Sequence, residues 1–240
     1  MTRNIAFQGI AGAYSEQAIQ QFFGPDVDST PRNSLEDIFL AVEEGGADFG
    51  MLPVAGSVNR SYQLLMEHDL RIHAEVILRV RHMLMAPAGT SLHELEQVRS
   101  HPQALAQCQR YLERHGLAAV PAFDTAGAAR DLAAEPAPGV AVVASALAAE
   151  LYDLEIIDQD IEDYRFNYTR FFVLAVESPP RAPRNKTSII FTTPHQPGAL
   201  YDCMGEFAKR RINLSKIESR PRLNQPWQYV FYLDFEGHCQ

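Results

Sequence analysis

Ser34-Leu35-Glu36-Asp37-Ile38-Phe39-Leu40-Ala41-Val42-Glu43-Glu44-Gly45-Gly46-Ala47-Asp48-Phe49-Gly50-Met51-Leu52-Pro53-Val54 holds one complete helix-to-strand unit. Ser34 reads as an N-cap, with Glu36 in the first turn and Asp37 three residues on to close a capping box. Leu35, Ile38, Phe39 and Val42 follow at i, i+3, i+4 and i+7, a single apolar stripe along a helix. Gly45-Gly46 stops the helix, and Phe49 to Val54 is an apolar strand.

The same alternation extends both ways. Upstream, Asn4 to Gln8 is a strand, Gly9-Ile10-Ala11-Gly12 a loop, and a helix starts near Ser15 and ends at Gly24-Pro25. Downstream, a helix around 61–68 leads to one long strand, Ile72 to Ala86. Val98-Arg99-Ser100 is a strand end, and Pro102 opens a helix that Gly116 closes. Ala118–Phe123 is a strand, and Thr125 caps a helix through about Ala134. Val140–Ala144 is a strand, Ser145 caps the next helix, and Tyr168 to Val176 is the last strand of the series. Repeated βα units imply an α/β fold with mostly parallel sheets.

The chain of 240 residues is 46% apolar, enough for two ordinary domains with buried cores. Its net charge of −9 disfavours general binding to nucleic acid or anionic membranes. No stretch reaches the roughly 18 apolar residues that span a bilayer. Residue 5 already belongs to a strand-like segment, so no signal peptide is read. Cys108, Cys203 and Cys239 are widely spaced, which points to a reducing, cytoplasmic compartment.

Ser178-Pro179-Pro180-Arg181-Ala182-Pro183-Arg184-Asn185 is a stiff linker. It separates a first domain, 1–178, from a second, 186–240, with 179–185 between them. Residues 1–183 carry 13 arginines against 25 carboxylates, while 184–240 carry 8 basic and 5 acidic residues. No lysine precedes Lys186, so Schiff-base chemistry is excluded from the first domain. Anions there depend on arginine, hydroxyls, amides or helix N-termini. The second domain reads as strand (187–192), helix (197–211), strand (213–220) and strand (227–235), an open βαββ unit with an unpaired edge.

Several side chains sit where open α/β sheets bind ligands, at strand ends beside helix N-termini. Ser100, Thr125 and Ser145 are such hydroxyls, and each alone is an ordinary cap; Gln107 lies one turn after Gln103. Alternation along Tyr168–Val176 puts Thr169 and Phe171 on one face and Arg170 on the other, and alone Thr169 is an ordinary strand residue. Asp160, Glu162 and Asp163 read as a solvated acidic loop. The eight histidines show no metal-ligand spacing, and no phosphate-binding glycine loop or CxxC occurs.

Taken together, the segments resemble prephenate dehydratase along nearly the whole chain. The matching stretches are Gly9-Ile10-Ala11-Gly12-Ala13-Tyr14-Ser15, Ser100-His101-Pro102-Gln103-Ala104-Leu105 with Gln107-Cys108, and Asp124-Thr125-Ala126. Ala144-Ser145 with Ala148-Ala149 and Asn167-Tyr168-Thr169-Arg170-Phe171 continue the series. Beyond the linker, Gly198-Ala199-Leu200 and Ile217-Glu218-Ser219-Arg220-Pro221 look like the phenylalanine-binding motifs of the family's regulatory ACT domain.

The resemblance implies two α/β subdomains with a cleft between them, like a periplasmic binding protein: about 1–75 with 165–178, and about 78–160. A ferredoxin-like ACT domain of βαββαβ type follows, here without its last helix and strand. It implies decarboxylating dehydration of prephenate to phenylpyruvate, without metal or organic cofactor, in a homodimer or homotetramer inhibited by L-phenylalanine. No mutase-like segment precedes residue 1, so a monofunctional enzyme is expected. Thr169 matches the catalytic threonine. Ser15, Ser100, Gln107, Thr125, Arg170 and Phe171 are candidates for holding substrate, with Arg170 structural if it turns away from Thr169. Gly198, Ala199, Leu200, Glu218, Ser219, Arg220 and Pro221 are the candidates for phenylalanine. The family has Pro-x-Glu-Asn-Ser after the strand that here ends at Met51-Leu52-Pro53-Val54. Here Pro53-Val54-Ala55-Gly56-Ser57-Val58 either keeps only Ser57 of the three polar residues by substitution or, in the better alignment, lacks about four residues; on both readings the Glu and Asn are absent. A catalytically impaired ligand-binding homologue and an arogenate dehydratase are the alternatives.

Overall fold

A computed structural model describes residues 2–54, 59–222 and 228–238. The chain divides into two compact units, Met1–Pro179 and Pro180–Gln240. The first unit opens with β1 (Asn4–Gln8), α1 (Tyr14–Phe23), β2 (Asp28–Arg32), α2 (Leu35–Glu43), β3 (Phe49–Pro53), α3 (Asn59–Glu67) and β4 (Arg71–Arg79). It continues with β5 (Met83–Ala86), β6 (Gln97–Ser100), α4 (Pro102–Gln107), α5 (Gln109–His115), β7 (Ala118–Pro121), α6 (Thr125–Ala134), β8 (Val140–Ala144), α7 (Ala146–Leu151) and β9 (Glu155–Asp158). Finally β10 (Tyr168–Ala175) returns to the first sheet.

Two five-stranded sheets result, ordered β2-β1-β3-β10-β4 and β7-β6-β8-β5-β9. They are mixed rather than mostly parallel. The pairings of β1 and β6 are parallel, whereas β10 runs antiparallel to β3 and β4, and β5 antiparallel to β8 and β9. Each antiparallel strand follows a passage of the chain from one lobe to the other. The expected long strand 72–86 is in fact two strands of different sheets, broken at Val80-Arg81-His82. Alternating Val76, Leu78 and Val80 lead, with only Arg81-His82 between, into the apolar run 83–86, which conceals the break.

Local chemistry explains most elements. Ser34 and Asp37 form the capping box, with Asp37 N–H donating to Ser34 Oγ at 3.1 Å and Ser34 N–H to Asp37 Oδ2 at 3.0 Å; such a cap contributes about 1 kcal/mol. The α2 stripe lies so close to β3 that a Cβ on Gly50 would meet Ile38 Cγ2 at 2.5 Å. The other face of that sheet packs Ile5, Phe7, Met51, Val76, Leu78 and Phe171 against Ala18 and Ile19 of α1. Strand β8 is buried on both faces and accordingly apolar throughout. Its Val140, Val142 and Ala144 face α6 and α7, while Ala141 and Val143 face α4 and α5.

Two further expectations are corrected, and two strands went unread. The cap of α6 is Asp124, whose carboxylate accepts from Gly127 N–H, and Thr125 is the first helical residue. The helix opened by Pro102 breaks at Cys108 into α4 and α5, and Gly116 ends the latter with φ of 67°. Strands β2 and β9 carry too few apolar residues to show a pattern.

The second unit contains β11 (Lys186–Thr192), α8 (Ala199–Lys209), β12 (Leu214–Pro221) and β13 (Tyr229–Glu236). Its antiparallel sheet has the order β11-β13-β12. Phe207 of α8 meets Phe235 with ring centroids 5.6 Å apart, so the helix covers the face bearing Phe231, Leu233 and Phe235. Among the described residues no helix is long and apolar enough to cross a membrane.

Candidate active site

Two extended connectors join the lobes and bond to each other. Val80 N–H donates to the Asn167 carbonyl at 2.8 Å, and Ile161 N–H to the His82 carbonyl at 3.1 Å. The acidic run proves to be part of this joint rather than a solvated loop. Glu162 is buried; it accepts from His82 N–H at 3.0 Å and lies 3.5 Å from Arg79 Nη2. Asp160 pairs with Arg81, and that guanidinium holds its carboxyl below the usual range.

Four side chains meet beside the joint: Tyr14 from the start of α1, His82 from the first connector, Gln107 from the end of α4, and Asn167 just before β10. Tyr14 Oη is 2.7 Å from His82 Nδ1 and 3.0 Å from the Arg81 carbonyl. His82 Nε2 is 2.7 Å from Gln107 Oε1, which also accepts from Asn167 Nδ2 at 3.0 Å. His82 is 2% exposed, and burial lowers its pKa against smaller opposing effects of Gln107 and Glu162. Burial raises the Tyr14 phenol well above its ordinary value, so it stays protonated. Burial likewise pushes the Cys108 thiol up to about 12, leaving it an inert core group.

The loop after β1 crosses to the second lobe. Ser145 Oγ caps α7 by accepting from Ala148 N–H at 3.0 Å and donates to the Gly12 carbonyl at 2.6 Å. Tyr152 Oη donates to the Ala11 carbonyl at 2.7 Å. Gly12 has φ of +86°, and a Cβ there would stand 2.9 Å from Ala148 Cα. Its N–H donates to the buried Glu16 carboxylate at 2.6 Å.

Thr169 stands two residues after Asn167 at the start of β10, half-buried, opposite Leu78. Its hydroxyl makes no hydrogen bond among the described residues. Arg170 faces the other way: it pairs with Glu75 and lies 4.5 Å over the Phe172 ring, a structural position. Phe171 is 2% exposed within the α1-side core, so it supports the strand and presents no surface to a ligand. Ser100 is fully buried and donates to the Val143 carbonyl at 2.6 Å, bridging β6 and β8. Thr125 and Ser15 are half-buried in the first turns of α6 and α1. The Ala55–Val58 segment, where the expected Glu and Asn are missing, lies outside the described residues.

Sequence reasoning did not single out Arg32, His82, Tyr14 or Asn167. Arg32 ends β2 beside Gly9, whose N–H donates to its carbonyl at 3.1 Å. Its buried Nε has no hydrogen-bond partner, and no carboxylate pairs with it among the described residues. The one signal for Tyr14 and Asn167 was their place inside motifs; His82 gave none.

In the second unit, Gly198, Ala199 and Leu200 line a depression of about 310 Å³, together with His195, Tyr201 and Phe231. Gly198 takes a left-handed conformation at the start of α8. Ser219 lies opposite Phe231 in register, on the helix-covered face. Glu218, opposite Tyr232, turns to the other face with Lys216 and Arg220, both of which pair with it. The two sets of candidate residues are therefore not gathered in one place.

A family model described as prephenate dehydratase matches residues 5–179. The chain is 42% identical over 250 residues to arogenate dehydratase/prephenate dehydratase 2, chloroplastic, of Arabidopsis thaliana, covering 97% of this chain and 65% of the relative. It spans 60% to 66% of the lengths of the curated relatives it matches. Among solved structures, prephenate dehydratase from Arthrobacter aurescens in complex with L-Phe superposes with TM-score 0.87 at 30% identity, covering 98% of this chain and 80% of that one. GqqA, described as a novel type of quorum quenching acylase, superposes with TM-score 0.89 at 36% identity, covering 98% and 88%.

Proposed function

Because the chain belongs to the prephenate dehydratase family, we propose that it converts prephenate to phenylpyruvate, water and carbon dioxide. The reaction breaks two bonds. The ring carboxylate leaves as carbon dioxide, its bonding pair enters the ring, and the opposite C–O bond breaks as the ring becomes aromatic. The departing hydroxide takes one proton and leaves as water. Thr169 hydrogen-bonds that oxygen as it leaves, and solvent restores the proton. Such help is large only in an oriented, water-poor site. The supporting observation is an unspent Thr169 hydroxyl two residues from an amide pair fixed between the lobes. The substrate's two carboxylates need donors in a domain without lysine; Gln107 and Arg32 are the proposed ones, with Thr125 and Ser15 at the neighbouring helix starts.

The arogenate reading has its own support, since several relatives carry that name. The impaired-homologue reading rests on the residues absent around Ala55–Val58. The second unit is proposed as an ACT-type regulatory domain binding L-phenylalanine. Gly198, Ala199 and Leu200 on one face and Glu218 and Arg220 on the other would share one ligand only across two copies. That accords with a homodimer or homotetramer. Ser219 and Pro221 complete the proposed set, and the reading places the enzyme in the cytoplasm, in phenylalanine biosynthesis.

One assay tests these together. Purified protein is given prephenate or arogenate, with and without L-phenylalanine. Phenylpyruvate well above the spontaneous rate supports the dehydratase, and phenylalanine formed faster from arogenate replaces it with the alternative. Neither product from folded protein selects the impaired homologue.

A further inference from the structure

Gln107 Oε1 is a point of convergence. His82 Nε2 lies 2.7 Å away and Asn167 Nδ2 3.0 Å away. A carbonyl oxygen has two lone pairs, and here both are used. The Gln107 amide nitrogen has no acceptor among the described residues. Its two N–H groups are thus the unspent part of the side chain.

The direction of this arrangement depends on the imidazole. A buried neutral histidine carries one ring proton. With that proton on Nε2, the ring donates to Gln107 and accepts at Nδ1 from the Tyr14 hydroxyl, whose single proton then goes to the nearer acceptor, Nδ1 at 2.7 Å, rather than to the Arg81 carbonyl at 3.0 Å. With the proton on Nδ1, the bare Nε2 would face a carbonyl oxygen, and both the Gln107 and Asn167 amides would have to reverse. Gln107 would then offer an acceptor, the wrong polarity for a dianion.

We propose that His82 is a positioning residue: through Nε2–H it locks the Gln107 amide with its N–H groups toward the substrate, where they bind a carboxylate. The inference rests on the dehydratase reading. Tyr14 and Asn167 belong to the same device, holding the imidazole and the amide from opposite ends. No contact between His82 and the reacting atoms is involved.

Two measurements test it. The first is the nitrogen chemical shifts of the His82 imidazole in 15N-labelled full-length protein, which distinguish a protonated from a bare Nε2. A protonated Nε2 is expected; a bare one overturns the proposal whether or not the protein turns over substrate. The second is kinetics with prephenate. His82→Leu removes the donor and should raise KM about tenfold, with kcat changed less than about threefold. His82→Gln carries an amide N–H to the place of Nε2 and should bring KM back within about threefold of the parent. An unchanged KM in His82→Leu, or His82→Gln behaving no better, overturns the positioning role. If the parent turns over neither prephenate nor arogenate, the dehydratase reading fails and the carboxylate-facing role falls with it.

Discussion

Ser145 and Gly12 belong to different lobes and are joined by a 2.6 Å hydrogen bond from hydroxyl to carbonyl. The same Ser145 oxygen caps α7. One hydroxyl therefore fastens the loop after β1 to the helix start that faces it.

Ser145→Ala loses both the cap and the bridge, and should lower unfolding free energy by about 2 kcal/mol. Gly12→Ala should cost at least as much, because its φ is positive and its Cβ would stand 2.9 Å from Ala148 Cα. Urea denaturation checks both; a change below about 0.5 kcal/mol in either would show that the loop lies elsewhere in solution.

Thr169→Ala should leave the unfolding free energy in urea within about 0.5 kcal/mol of the parent, since the hydroxyl is unspent and half-buried. Turnover of prephenate should fall by about 100-fold or more. Thr169→Ser should retain most of the rate, and a serine variant as slow as alanine would argue against a hydroxyl role.

Arg170 and Glu75 should act on stability. Replacing either by Gln leaves a charge in a largely buried pair and should cost about 1–3 kcal/mol. The double variant should cost less than the two single losses combined, with KM for substrate unchanged. A rise in KM specific to Arg170→Gln would return that residue to the substrate site.

Acid should loosen the fold through His82. Its imidazole titrates below the ordinary 6.5 because it is buried, so the unfolded chain binds a proton that the folded chain refuses. Stability must then fall as pH drops through 6.5 toward the folded value, with a slope of at most about 1.4 kcal/mol per pH unit. His82→Gln should flatten that slope. The carboxylates held low by basic partners, Asp160 and Glu218 among them, lose their contribution only at lower pH, as they protonate. Urea titrations between pH 7 and 5 separate the two.

The sequence was most legible where one residue carries one task. Ser34 with Asp37, the α2 stripe and the all-apolar β8 each name their structure. Thr125 was misread because Asp124 is an equally good cap one residue earlier. The passage between lobes was hidden because Val80 continues the alternation of β4 and only Arg81-His82 separate it from the apolar run of β5. His82 itself could not be found in the sequence: its partners lie 68, 25 and 80 positions away. Ser100 and Phe171 show the converse, since motif membership marked them while burial gives them to the scaffold.

Strand β10 sits between β3 and β4, though about ninety residues separate it from β4 in the chain. During synthesis the first lobe therefore emerges with a gap in its sheet. The second lobe, contiguous from β5 to β9, is available to fold before that gap can be filled. Thr169 arrives with the filling strand. A ribosome stalled between β9 and β10 thus releases a chain with one finished lobe, one open sheet with bare strand edges, and no Thr169. Such a fragment would offer quality control an aggregation-prone edge to bind.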